Sequence, residues 1–133
     1  NGLAYVERSK LTPTEAIDLV LAYDGVPVMA HPTYSSAKSG RDGLKDVAGT
    51  LRELKSAGLV GVEVYYCDYT QDQVNALKDI ADDLGLVPCG GSDYHASGNP
   101  GEPEPGSVGP TMLAVEALEA RGYVTRLGKM PCL

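Results

Sequence analysis

The residues of this chain that can do chemistry fall in three short stretches, two of which carry its two histidines. His31 follows the apolar run Val26-Pro27-Val28-Met29-Ala30, and His95 closes Gly90-Gly91-Ser92-Asp93-Tyr94-His95. Asp93 and His95, a carboxylate and an imidazole two residues apart, make a natural bite for a divalent cation. With His31 added, the set is two imidazoles and a carboxylate, which suits zinc, manganese or iron. The third stretch, Gly61-Val62-Glu63-Val64-Tyr65-Tyr66, embeds a carboxylate in an apolar strand, where it needs a partner or a metal. A hydrogen bond or ion pair below the site serves Glu63 at least as well as ligation, so it stays outside the donor set.

Other candidates are weaker. Lys38 and Arg41, in the polar stretch after His31, could meet a substrate phosphate, although charges in a polar loop are usually only solvated. Tyr65, Tyr66 and Tyr69 could wall a pocket or simply pack. Cys67, Cys89 and Cys132 show no zinc spacing, and an odd number of unpaired thiols points to a reducing compartment, the cytoplasm. The chain has no Gly-x-x-x-x-Gly-Lys phosphate loop, no Gly-x-Gly-x-x-Gly fingerprint after a strand and no Gly-x-Ser-x-Gly elbow.

The elements that must position these residues alternate in type. Thr12-Pro13-Thr14-Glu15 opens a helix with a capping box, Ile17, Val20 and Leu21 give its apolar face, and Asp24-Gly25 stops it. Val26–Ala30 reads as a strand, with Pro27 near its start or at a sheet edge. A loop is expected over 33–42. A second helix then carries Leu44, Val47, Ala48, Leu51 and Leu54, with Gly58 as its C-cap. Leu59–Tyr66 reads as a strand. A third helix runs from the Thr70 and Gln73 capping box to Gly85, and Leu86–Cys89 reads as a buried strand turned by Gly90 and Gly91. A flexible loop is expected over 96–109, which is rich in Gly and Pro, and then a helix carrying Met112, Val115 and Leu118, capped by Gly122. Short strands at Leu3–Val6 and Tyr123–Thr125 are further expectations. Strands alternating with crossover helices imply an α/β fold with a parallel sheet, whose C-terminal edge is where such folds bind ligands. His31, Asp93 and His95 fall on that edge.

The totals narrow the function. One domain, or part of one, is expected from 133 residues with 43% apolar and 22% charged content. Three secure strands are few for a closed barrel or a doubly wound domain, so a piece of a larger unit is expected. A net charge of −7 and a pI near 4.7 argue against a duplex nucleic-acid binder, since phosphate contacts need basic residues. They leave room for a small phosphorylated substrate held through metals. No stretch is apolar enough over the length needed to span a membrane.

Gly25-Val26-Pro27-Val28-Met29-Ala30-His31-Pro32, Gly61-Val62-Glu63-Val64-Tyr65-Tyr66 and Gly90-Gly91-Ser92-Asp93-Tyr94-His95 occur in the order and spacing typical of the PHP (polymerase and histidinol phosphatase) domain family. The chain resembles most its branch of small metal-dependent phosphoesterases, which takes in nucleotide phosphatases and exoribonucleases. The similarity runs from about Leu3 to Gly122. It implies part of a distorted seven-stranded (β/α) barrel with two or three divalent metals at the C-terminal rim, and His31, Asp93 and His95 as ligands and catalytic residues. It implies hydrolysis of phosphate mono- or diesters, with a phosphorylated small molecule or a nucleotide or oligonucleotide end as partner. Family members begin with a His-x-His strand that is missing here, so residues 1–133 resemble the C-terminal half of a PHP domain. Such a half is expected to be nearly inactive alone and to self-associate. The same residues are open to two other readings, a non-catalytic PHP-like scaffold or interaction module, and a metal-dependent amidohydrolase-type enzyme.

Overall fold

The structure, a computed structural model, describes residues 10–33, 41–96, 100–110 and 112–120. The expected strands at Leu3–Val6 and Tyr123–Thr125, the Gly122 cap and Lys38 lie outside the described residues.

Seven elements follow in chain order: α1 (Pro13–Ala22), β1 (Val28–Met29), α2 (Arg41–Ser56), β2 (Gly61–Tyr66), α3 (Gln71–Leu84), β3 (Val87–Gly91) and α4 (Met112–Ala120). The three strands form one parallel sheet in the order β1-β2-β3. Parallel neighbours need crossovers longer than a hairpin, and α2 and α3 supply them. The expected α/β class, parallel strands alternating with helices as in part of a (β/α) barrel, is the architecture found.

Local chemistry sets most helix ends. The Thr12 hydroxyl accepts the Glu15 N–H at 3.2 Å while the Glu15 carboxylate accepts the Thr12 N–H at 2.7 Å, so two orphan donors are satisfied at once. Thr70 and Gln73 repeat the device at α3, with bonds of 3.3 and 2.9 Å. Past α2, Gly58 stands at φ +108, where a side chain would be strained, and an added Cβ would lie 2.7 Å from Leu21 of α1. α1, α2, α3 and the sheet enclose the main core, in which Leu51, Leu77, Val62 and Val64 are fully buried. Burying each such side chain contributes about 1.5–3 kcal/mol. A smaller cluster joins Val60 and Val87 to Ala114 of α4.

The structure moves several sequence boundaries. Arg41 and Asp42, read as loop, already belong to α2. β1 has two residues rather than five, with Pro27 just before it, so the missing N–H costs no ladder bond. The Pro27 carbonyl accepts the N–H groups of Val60 and Gly61 at 3.0 and 3.3 Å. Gly90 and Gly91 are not a turn after β3 but its last two residues. Between Glu63 and Tyr65 the β2–β3 register slips, because Glu63 pairs with Cys89 and Tyr65 with Gly90. Val64 is the extra residue of this bulge. An added Cβ at Gly90 would collide with the Tyr65 carbonyl oxygen, so the neighbouring strand itself requires glycine here. In α4 the buried position is Ala114, with Ala117 and Leu118 beside it, whereas Met112 and Val115 of the expected stripe are exposed.

Candidate functional site

All three residues singled out as metal donors stand just beyond strand ends on the C-terminal edge of the sheet. His31 follows β1 by two residues, and Asp93 and His95 follow β3. They do not adjoin directly, because β2 separates the two strands. Its last residue, Tyr66, spans the gap. The Tyr66 ring lies 5.7 Å from the His31 ring, centroid to centroid, and its hydroxyl donates to Asp93 Oδ2 at 3.3 Å. Tyr69 packs edge-on against Tyr66 at 5.2 Å, and its hydroxyl accepts the Thr33 N–H at 3.4 Å, which ties down the segment after His31.

The backbone at these positions is unusual. Among the described residues, four that are not glycine have positive φ, and three belong to this edge: His31 (+25), Asp93 (+56) and Ala96 (+54). Such conformations cost on the order of 1–3 kcal/mol each, and persist only where surrounding contacts hold them. Those contacts are visible. The Glu63 carboxylate accepts the backbone N–H of His31 at 2.6 Å, and the Glu102 carboxylate accepts that of His95 at 2.7 Å. His95 Nδ1 lies 2.5 Å from the Asp93 carbonyl oxygen and 3.8 Å from Asp93 Oδ1. With the proton on Nδ1, the lone pair is left on Nε2, the arrangement that second-shell bonds impose on ligating histidines.

Glu63 is therefore hydrogen-bonded below the edge, one of the roles that its apolar surroundings left open. Of the tyrosines, Tyr66 is buried and Tyr69 half-buried. Burial, followed by the charge of Asp93, pushes the Tyr66 hydroxyl well above its ordinary range, so it acts as a donor. Cys67 and Cys89 are free thiols, both pushed up by burial first, and next by Asp68 and Glu63 respectively. The Arg41 side chain lies outside the described residues, as Lys38 does.

Beyond Ala96 the described part of the loop, 100–110, has no helix or strand, and it folds back toward β3. A cleft of about 390 Å³ runs between Gly90, Gly91 and Ser92 on one side and Gly106, Val108 and Gly109 on the other. Sequence reasoning missed Tyr66 as the joining residue and Glu102 altogether. A tyrosine closing an apolar strand was a usable signal for the first, but a glutamate in a Gly- and Pro-rich loop gives none.

The donor types suit a borderline divalent metal, but the set is incomplete. Among the described residues no group of three or more His, Cys, Asp or Glu could hold an ion. Nor is any described helix long and apolar enough to cross a membrane.

Two solved structures with longer chains are similar to this chain in fold. A protein assigned as a metal-dependent phosphoesterase, from Bifidobacterium adolescentis, matches 90% of this chain with a TM-score of 0.64 at 24% identity. An amidohydrolase from Chromobacterium violaceum, solved with sulfate bound and no metal, matches 88% with a TM-score of 0.67 at 26% identity. The present chain spans 40% and 39% of their respective lengths. No family model matches the chain, and no curated protein does. At this level of identity the chain is similar to metal-dependent phosphoesterase and amidohydrolase chains in fold.

Proposed function

We propose that this chain carries one flank of a metal-dependent phosphoesterase centre of the PHP type, with His31, Asp93 and His95 as metal ligands. The observation that carries the reading is the Tyr66 contact to His31 on one side and Asp93 on the other, which ties two strand ends into one donor-bearing edge. Among the described residues the donors fit in type but not in number, and no group of them closes around an ion. More than half of each structural relative lies outside the matched region, and the PHP resemblance puts the remaining ligands upstream, in a His-x-His strand.

A divalent ion bound there would neutralise phosphate oxygens and lower the pKa of a bound water. The chain's own residues present two imidazoles and a carboxylate, restrain them through Glu63, Tyr66 and Glu102, and keep the Tyr66 proton on its oxygen. The resemblance to PHP phosphoesterases favours a phosphate ester as substrate. The charge of −7 favours a small one, such as a nucleotide or an oligonucleotide end, over a duplex. The free thiols Cys67 and Cys89 favour a reducing compartment such as the cytoplasm.

The test uses the protein joined to its upstream sequence and loaded with manganese or zinc. Nucleoside monophosphates and generic phosphodiesters are the substrates. Hydrolysis is expected, falling in His31→Ala and Asp93→Asn by more than the roughly 10–100-fold that loss of a supporting residue brings. The chain alone should be nearly inactive. Inactivity of the loaded protein toward both substrate classes overturns the proposal. The match to an amidohydrolase supports a second reading, which cleavage of amides but not phosphate esters would establish. A non-catalytic scaffold is the third, and it predicts that the joined protein takes up no metal.

A further inference from the structure

Glu63 is the only acidic residue in the described strands, and it stands between Val62 and Val64, both fully buried. No described Lys or Arg forms an ion pair with it. Its carboxylate instead accepts the backbone N–H of His31, 32 residues earlier, at 2.6 Å. A bond of this length to an ionised acceptor belongs to the strong class. The residue it grips is constrained twice over. His31 stands at φ +25, between the favoured regions, and Pro32 narrows the choices of the residue before it. Released from Glu63, His31 could return to negative φ, which would swing its imidazole away from Tyr66.

We propose that Glu63 is a positioning residue that fixes the His31 imidazole by gripping the His31 backbone N–H, and is not itself a metal ligand. The same device recurs at the other histidine, whose N–H is held by Glu102. Each imidazole thus hangs from a backbone amide anchored by a carboxylate from a different segment. The metal consequence rests on the reading of His31 as a ligand, whereas the grip stands on geometry alone.

Two substitutions separate the bond from its charge. Glu63→Gln keeps the length and an accepting oxygen but removes the charge. Glu63→Asp keeps the charge but is one methylene too short to reach. Amide hydrogen exchange at His31 is read by NMR on the metal-free chain, with denaturant unfolding as the measure of global stability. Wild type and Glu63→Gln should protect the His31 amide, while Glu63→Asp loses at least about tenfold in protection with β2 and α3 still protected. In the upstream-joined protein, manganese affinity should fall about 10–100-fold in Glu63→Asp and recover in Glu63→Gln. Equal His31 protection in wild type and Glu63→Asp, or protection lost in Glu63→Gln and kept in Glu63→Asp, overturns the proposal. If the grip is intact but His31→Ala binds manganese as wild type does, the metal reading of His31 fails and the grip survives.

Discussion

A phenol buried beside a carboxylate keeps its proton, because desolvation and the neighbouring negative charge both penalise the phenolate. Tyr66 is in that position against Asp93, and the direction of its shift gives a pH signature. Tyr66 binds its proton more tightly folded than unfolded, so its contribution to stability is complete below pH 10 and is lost as pH rises beyond it. Tyr66→Phe should cost about 1 kcal/mol at neutral pH through the lost bond to Asp93. Its stability should then decline less steeply than wild type above pH 10, as urea midpoints between pH 7 and 11.5 would show. Parallel profiles would mean that the hydroxyl ionises freely. At this scale the sequence was legible where chemistry is carried by rare residue types. With two histidines in the chain and Asp93 two residues from one of them, the edge residues could be picked out directly. Glu63 was legible halfway: its apolar flanks demanded a partner, but the partner is a backbone amide 32 residues distant, which carries no side-chain signal.

Elements whose ends depend on local bonds were the most readable. Both threonine capping boxes are present, since all their atoms lie within four residues. Thr70→Ala leaves the Gln73 N–H without its acceptor and should destabilise the fold by about 1 kcal/mol, seen as a lower urea midpoint with an unchanged slope. Thr70→Ser should restore most of the loss. α4 was less legible because Met112, Leu113, Ala114, Val115, Ala117 and Leu118 are apolar almost all the way round. No stripe stands out in such a helix, so packing against Val60 and Val87 decides which face is buried, and it selects the small Ala114. Gly90 was misread for a related reason. Two glycines after an apolar run suggest a turn, yet the reason for this one lies across the sheet at Tyr65.

For the molecule as a whole, the alternation of strands and helices was enough to give a parallel sheet, because parallel pairing follows from crossover connections. Its completeness could not be read in the same way. Among the described residues β1 pairs on one side only, and Val28 is 40% exposed there. An apolar groove of about 420 Å³ opens next to it, between Val20 of α1 and Leu54 of α2. Open strand edges beside apolar surface invite pairing with another chain. The isolated chain should therefore self-associate at micromolar concentration, and Val28→Lys should shift it toward monomer in light scattering. A wild-type monomer at those concentrations would show that the edge is covered in solution. The bulge at Val64 has a separate consequence for this sheet. Across that extra residue Gly61 pairs with Val87 at the start of β2 and Tyr66 with Gly91 at its end, with the Tyr66 side chain on the face from which it meets Asp93. Removing Val64 would leave the composition of the strand almost unchanged and Tyr66 still opposite Gly91, yet it would shift the alternation of side chains by one, turn the Tyr66 ring toward the other face and part His31 from Asp93. Here the count of residues matters more than their kind, and a single-codon deletion should do more harm to the edge than most substitutions along the strand.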